Sequence, residues 1–201
     1  MVELIIMIID DSFLNQEEII SLQKMMYDIP NSNFPWYFYG STNKKDSSGV
    51  ILNNDDYLDS QQFVHLAYHN SQKHSQFSDT FLYIFNKFIN KHNIVVDNVF
   101  RIKANLILKD GTNNKIHYPH IDTDHEHFVF LYYVNDSDGD TILFNEKYPM
   151  ENKNLTIDKK INPKAGRAIL FNGLQYHSSS SPIKNDIRCV INIDFTGKVS
   201  L

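Results

Sequence analysis

The sequence predicts an α+β fold: N-terminal helices packed on one sheet of a double-stranded β-helix, a cupin-like jelly roll that closes two sheets around a pocket. Three observations carry this expectation. Before about residue 95, apolar residues recur at helical spacing, most clearly Phe81, Leu82, Ile84, Phe85, Phe88 and Ile89. After Asn93 the pattern changes to short segments of period two, rich in β-branched and aromatic residues. Turn sequences separate them: Lys109-Asp110-Gly111, Asn135-Asp136-Ser137-Asp138-Gly139 and Asn162-Pro163-Lys164-Ala165-Gly166.

In chain order, Val2 to Ile9 reads as a short first strand. Asp11 or Ser12 can cap a helix over Glu17 to Tyr27, whose first turn is acidic and whose apolar residues are Ile19, Ile20, Leu22, Met25 and Met26. Pro30 stops it. Asn31 to Asp56 reads as irregular, with Trp36, Tyr37, Phe38 and Tyr39 crowded into its first half. A second helix is expected over Leu58 to about His74, and a third from Ser78-Asp79 to about His92. The first core strand, Val99 to Leu108, sets Phe100, Ile102, Ala104, Leu106 and Leu108 on one face and Arg101, Lys103, Asn105 and Ile107 on the other. Phe128 to Val134, Thr141 to Phe144, Arg167 to Phe171 and Arg188 to Phe195 follow as strands. The expected organisation is one domain over 1–201, helical over about 1–95 and a β core over about 98–197.

Composition narrows the function classes. With 42% hydrophobic and 13% aromatic residues, a sizeable core is within reach. No apolar run is long enough to span a membrane. The apolar start lacks a basic flank and reads as a strand, not a signal peptide. A lone cysteine, Cys189, leaves no intramolecular disulfide, so a cytoplasmic, reducing setting is expected. A net charge of -5 without a basic stripe disfavours nucleic acid. The chain has only three arginines, Arg101, Arg167 and Arg188, against sixteen lysines. An arginine kept in such a chain is a candidate for a role that needs the planar guanidinium fork.

The chemistry centres on His120-Ile121-Asp122. On an extended segment, an imidazole and a carboxylate two residues apart point the same way and can offer two ligands to one metal ion. Chance alone predicts about one such triplet in this chain. What raises it is order. His177 lies at a strand end beyond Pro163-Lys164-Ala165-Gly166, and Arg188 opens the last long strand eleven residues later. Two histidines and a carboxylate form the facial triad of non-haem Fe(II) oxygenases, with three positions left open. A 2-oxoglutarate co-substrate would chelate that iron and need a cation at its far end, and Arg188 is placed in sequence to supply one.

These residues resemble the Fe(II)/2-oxoglutarate-dependent dioxygenases, specifically the prolyl-4-hydroxylase-like branch, in a compact form similar to short phage oxygenases. The resemblance rests on His120-Ile121-Asp122, Leu131-Tyr132-Tyr133-Val134-Asn135-Asp136, Gly139-Asp140-Thr141, Pro163 to Phe171, His177, Pro182 and Arg188. Where the family pattern has paired glycines before the threonine, this chain has Asp138-Gly139. Phe144 sits one place late, the His177–Arg188 spacing is one longer than the commonest, and arginine stands where many prolyl hydroxylases have lysine.

The resemblance implies Fe(II) on His120, Asp122 and His177, and 2-oxoglutarate held by Arg188 with Tyr132 and Thr141. Of the tyrosine pair, one can bond the co-substrate while the other packs away. Asn105 is a further co-substrate candidate, and Trp36, Tyr39 and Arg167 are candidates for the substrate wall. It also implies O2 as co-reactant, ascorbate in support of activity, and a prolyl residue of a peptide or protein as substrate. His117, His125 and His127 are expected to be exposed. Two other readings remain open: a cupin-type metal-binding module using His125-Glu126-His127, and a catalytically silent oxygenase-fold scaffold.

Overall fold

The computed structural model describes residues 7–27, 32–41, 57–111, 115–150 and 154–199. Their elements, in order, are β1 (Met7–Asp10), α1 (Gln16–Tyr27), β2 (Tyr37–Tyr39), β3 (Tyr57–Leu58), β4 (Gln62–His69), β5 (Gln72–Lys73), α2 (Ser78–Lys91), β6 (Val95–Leu108), β7 (Ile116–His117), β8 (Phe128–Tyr133), β9 (Thr141–Lys147), β10 (Ile157–Ile161), β11 (Ala168–Asn172), β12 (Gln175–Ser179) and β13 (Ile187–Lys198). Residues 2–6 of the expected first strand, Pro30, and 42–56 of the expected irregular stretch lie outside the described residues.

The large sheet runs β1-β11-β8-β13-β6-β4-β2, with β5 hairpinned onto β4. Facing it is the small sheet β10-β9-β12, which single bridges from Ile116 to Ser180 and from His120 to His177 tie to the β7 segment and the loop after it. Two antiparallel sheets face to face around a pocket make a double-stranded β-helix, and both helices pack on the outer face of the large sheet, as expected.

That arrangement follows from the two-faced strands. On β6, Ile102, Ala104 and Leu106 point outward into the helix-side core, while Lys103, Asn105 and Ile107 line the pocket. The α2 stripe meets that outer face. Phe85 lies with its ring centroid 5.4 Å from Phe130 and 5.0 Å from Phe195, and Phe88 lies 4.9 Å from Phe130. The inner face of the sheet (Val129, Leu131, Tyr133, Val190) packs on Leu143 and Ile161 of the small sheet.

Two local expectations are corrected. Neither Asp11 nor Ser12 caps α1. Asn15 Oδ1 accepts from the Glu18 amide at 2.9 Å and Glu18 Oε2 accepts from the Asn15 amide at 2.9 Å, a capping box. Leu58 to His74 is not a helix but carries β4, paired with β6 on one side and β2 on the other. Its buried His65 hydrogen-bonds the Pro35 carbonyl and Ser75 Oγ, both at 2.8 Å, so the core holds a polar residue where an apolar one would have displayed the strand pattern.

Asp10 ties the end of β1 to α2. Burial alone would raise its pKa, but contacts from Lys91, Ser12 and His92 outweigh burial and hold it at about 2. Because the folded value is depressed, the stability it contributes is present above the ordinary carboxylate range, near pH 4. It is lost as pH falls toward 2. Urea unfolding should show the wild type losing more stability than Asp10→Asn across that window. The excess should be about 1 kcal/mol after allowing for the solvent-screened Lys91.

Candidate metal centre and its pocket

The His120 segment and β12 exchange both backbone hydrogen bonds: His120 N donates to His177 O and His177 N to His120 O, each at 2.9 Å. This sets the two imidazoles side by side, ring centroids 4.5 Å apart. Each ring donates from Nδ1 to a backbone carbonyl, His120 to Tyr118 at 3.3 Å and His177 to Gln175 at 3.0 Å. A carbonyl only accepts, so the proton sits on Nδ1 and Nε2 turns its lone pair inward. Asp122 closes the group, with Oδ2 at 3.5 Å from His177 Nε2 and Oδ1 at 4.0 Å from His120 Nε2. One ligand atom from each of the three residues lies within 4.8 Å of the others, a donor set and spacing that fit a divalent metal ion.

The electrostatics of the site favour a neutral His120 and an ionised Asp122, and a proton on His177. Burial, reinforced by the neighbouring His177, pushes His120 down to about 3. Burial would raise Asp122, but Arg101 and the two histidines outweigh it and hold the carboxyl well below the usual range. Burial also works against a charged His177, yet its contact with Asp122 raises it. His120 and Asp122 are thus in the protonation states that a metal ion requires, and a metal ion taking His177 as a ligand would displace its proton.

The triad opens into a pocket of about 80 Å³ that is continuous with solvent on one side. Along its large-sheet wall the register pairs Arg188 with Ile107, Val190 with Asn105, Asn192 with Lys103 and Asp194 with Arg101. At one end sits Arg188, 3% exposed. Its Nε donates to Gly139 O at 2.9 Å and its Nη2 to Thr141 Oγ1 at 2.7 Å. Tyr133 OH donates to the same Thr141 oxygen at 2.7 Å, and its ring lies 5.9 Å from the guanidinium carbon. Among the described residues no carboxylate pairs with Arg188. A buried cation held only by neutral acceptors is costly unless a ligand supplies the anion.

The structure therefore brings His120, Asp122, His177, Arg188, Thr141 and Asn105 to one pocket. Asn105 donates to Gln62 Oε1 at 2.7 Å, and its own Oδ1 is buried without a partner among the described residues. Three expected site residues lie elsewhere. Tyr132 is fully buried in the helix-side core, its ring 5.9 Å from Phe13, whereas Tyr133 faces the other way, toward Thr141 and Arg188. Trp36 donates to Met26 O at 3.0 Å and stacks near Phe34, so it packs under the sheet and does not wall the pocket. Arg167 makes a bidentate pair with Asp11 at 2.7 and 2.9 Å and donates to Asn162 O, a structural brace away from the pocket. Tyr39 stays near the rim: it is exposed and pairs across from pocket-lining Gln62 on the edge strand β2.

The flanking histidines divide. His125 is exposed, but His117 and His127 are buried, contrary to expectation. His117 sits between Ser179 Oγ at 3.0 Å and Ser181 Oγ at 3.1 Å, and burial followed by the Arg188 charge pushes it down to about 4. His127 donates to His125 O at 2.8 Å and packs flat against the space over Gly173. Sequence reasoning missed Arg101, Lys103, Asn192 and Asp194. The alternation of β6 and β13, read together, was the available signal.

No protein-family model matches this chain, and no curated protein matches it. Solved structures do. An oxidoreductase of the 2OG-Fe(II) oxygenase family from Burkholderia pseudomallei aligns over 94% of this chain and 84% of its own, at 13% identity and a TM-score of 0.61. The non-heme α-ketoglutarate-dependent epimerase SnoN from nogalamycin biosynthesis aligns over 94% and 77%, at 10% identity and 0.62. A prolyl hydroxylase from Trichoplax adhaerens, solved with a hypoxia inducible factor peptide fragment, aligns over 94% and 82%, at 16% identity and 0.55.

One close approach fixes the Arg188 end. A Cβ at Gly139 would lie 2.6 Å from Ser180 O, 3.0 Å from Pro182 N and 3.2 Å from Arg188 Cδ. Two of these are backbone atoms, so Gly139→Ala should cost about 1 to 3 kcal/mol in chemical denaturation, as overpacking does. Gly40→Ala, with open space around it, should cost less than about 1 kcal/mol in the same measurement. At this identity the likeness is one of fold, and the chain has the double-stranded β-helix fold of these oxygenases.

Proposed function

We propose that this chain is a non-haem Fe(II)- and 2-oxoglutarate-dependent oxygenase. The observation that carries the reading is the pairing, in one pocket, of a two-histidine, one-carboxylate donor set with a buried arginine that has no carboxylate partner among the described residues. His120, Asp122 and His177 would hold the iron. Bound there, Fe(II) supplies the O2-dependent chemistry that couples decarboxylation of 2-oxoglutarate to oxidation of a substrate C–H bond. Arg188 binds the far carboxylate of 2-oxoglutarate, with Thr141 as a second contact and Tyr133 orienting the threonine hydroxyl. Asn105, whose amide oxygen has no partner among the described residues and which sits one row along the same wall, helps orient the co-substrate's other end. Leu131, Val190 and Ile107 line the space between and exclude water from it.

The substrate we favour is a prolyl residue of a peptide or protein. It is supported by the prolyl-4-hydroxylase-like motifs, by a prolyl hydroxylase with a bound peptide among the structural neighbours, and by exposed Tyr39 at the rim. The neighbours also include an epimerase and a carbocyclase, so the same fold serves small-molecule chemistry. Against a cupin-type module, the group of ligand atoms that comes together among the described residues is His120, Asp122 and His177 and includes neither His125, Glu126 nor His127.

With Fe(II), ascorbate and labelled 2-oxoglutarate, wild type should release succinate, and His120→Ala should lose at least about 100-fold of that rate. Equal turnover by the two proteins would refute the metal assignment. Arg188→Met should raise the 2-oxoglutarate KM by roughly 30-fold or more, the range for truncating one partner of a buried charge pair. Mass spectrometry of a treated peptide library, searching for the gain of one oxygen atom on proline, tests the substrate class.

A further inference from the structure

Asp122 is itself held. Its Oδ1 makes an ion pair with the Arg101 guanidinium, and Arg101 Nε in turn lies 2.6 Å from Asp194 Oδ2. Asp194 is fully buried, and the Arg101 and Asp122 side chains are 21% and 7% exposed. The two carboxylates come from different places, the loop after β7 and strand β13, and Arg101 on β6 reaches both. The two oxygens of Asp122 differ in their partners: Oδ1 pairs with Arg101 and stands 4.0 Å from His120 Nε2, whereas Oδ2 is nearer to the imidazoles, 3.5 Å from His177 Nε2, with the Asn192 amide at 3.4 Å.

We propose that Arg101 is a positioning residue for the metal centre: bridged between Asp194 and Asp122, it occupies Oδ1 and leaves Oδ2 as the single oxygen that Asp122 offers to a metal. The proposal rests on the reading of His120, Asp122 and His177 as ligands and adds what selects the ligand atom. A guanidinium suits the task because its planar fork can serve two carboxylates at once, which a lysine ammonium does less well. Asp194 anchors the far side of the fork. Hydrogen-bonded partners of metal-ligating carboxylates set both geometry and affinity, commonly by 10- to 100-fold.

The test uses Co(II), which binds such donor sets and reports them by its visible spectrum without O2 chemistry. Wild type should bind Co(II), and His120→Ala should not. The charge-balanced double variant Arg101→Met/Asp194→Asn removes the bridge with no change in net charge. It should bind Co(II) about 10- to 100-fold more weakly than wild type and with an altered visible spectrum. Arg101→Lys, which keeps the charge and loses the fork, should lie between the two, at about 3- to 10-fold. If the double variant is folded by circular dichroism and keeps wild-type affinity and spectrum, the bridge has no such role. If the double variant does not fold, Arg101→Lys decides alone, and unchanged affinity and spectrum there overturn the proposal. Failure of wild type to bind Co(II) overturns the metal reading and this proposal together, whereas loss in His120→Ala with none in the Arg101 variants overturns only the bridge.

Discussion

Four charged side chains stand on the inner face of two adjacent strands, Arg101 and Lys103 on β6 and Arg188 and Asp194 on β13. Burying charge is expensive, and the rest of the structure is arranged around that cost. The same two strands turn Ile102, Ala104, Leu106, Cys189, Ile191, Ile193 and Phe195 to the other face, where both helices cover them. An aromatic core on the outside of the sheet thus provides the hydrophobic burial that lets its inside stay ionic. Period-two alternation joins the two, because a single-residue slip of either strand would exchange the faces and abolish core and pocket together.

The geometry of the candidate metal site depends on backbone as much as on side chains. The mutual hydrogen bonds between His120 and His177 act like one rung of a sheet, and they join a loop of the N-terminal side of the core to a strand from its C-terminal side. Each imidazole is then locked by its Nδ1 contact to a carbonyl two residues back along the chain. Little freedom is left in the two rings before any ion binds, so the ordering cost falls on folding and not on metal capture.

Much of this was legible in the sequence. The α2 stripe, the alternation of β6 and the order His120, Asp122, His177, Arg188 all reflect local periodicity or spacing, which a linear chain displays. What could not be read depends on pairing partners. Gln62 and His65 look like surface residues until the chain brings Asn105, Pro35 and Ser75 to them, which is why β4 reads as a helix edge. Tyr132 and Tyr133 are adjacent, so alternation guarantees one on each face but not which. The register settles it: Tyr133 pairs with Val190, two residues from Arg188 on the same face. The scarcity of arginine was informative at all three positions. Arg101 and Arg167 each engage carboxylates, and Arg188 is fixed by two acceptors at the pocket's end.

The charges of the pocket bear on its proposed ligands. Lys103, Arg188 and Asp122 line it, and the Arg101–Asp194 pair stands behind Asp122, so basic groups outnumber acidic ones. A divalent metal ion on the triad would add to the positive side. A dicarboxylate would offset it. On the proposed reading, metal and 2-oxoglutarate therefore stabilise one another through the field of the pocket as well as through direct contact, since each offsets a charge the other leaves exposed. Burial depresses the Lys103 ammonium, and Arg101 adds to that effect. Lys103 stands on the wall, paired with Asn192 on one neighbouring strand and Leu66 on the other.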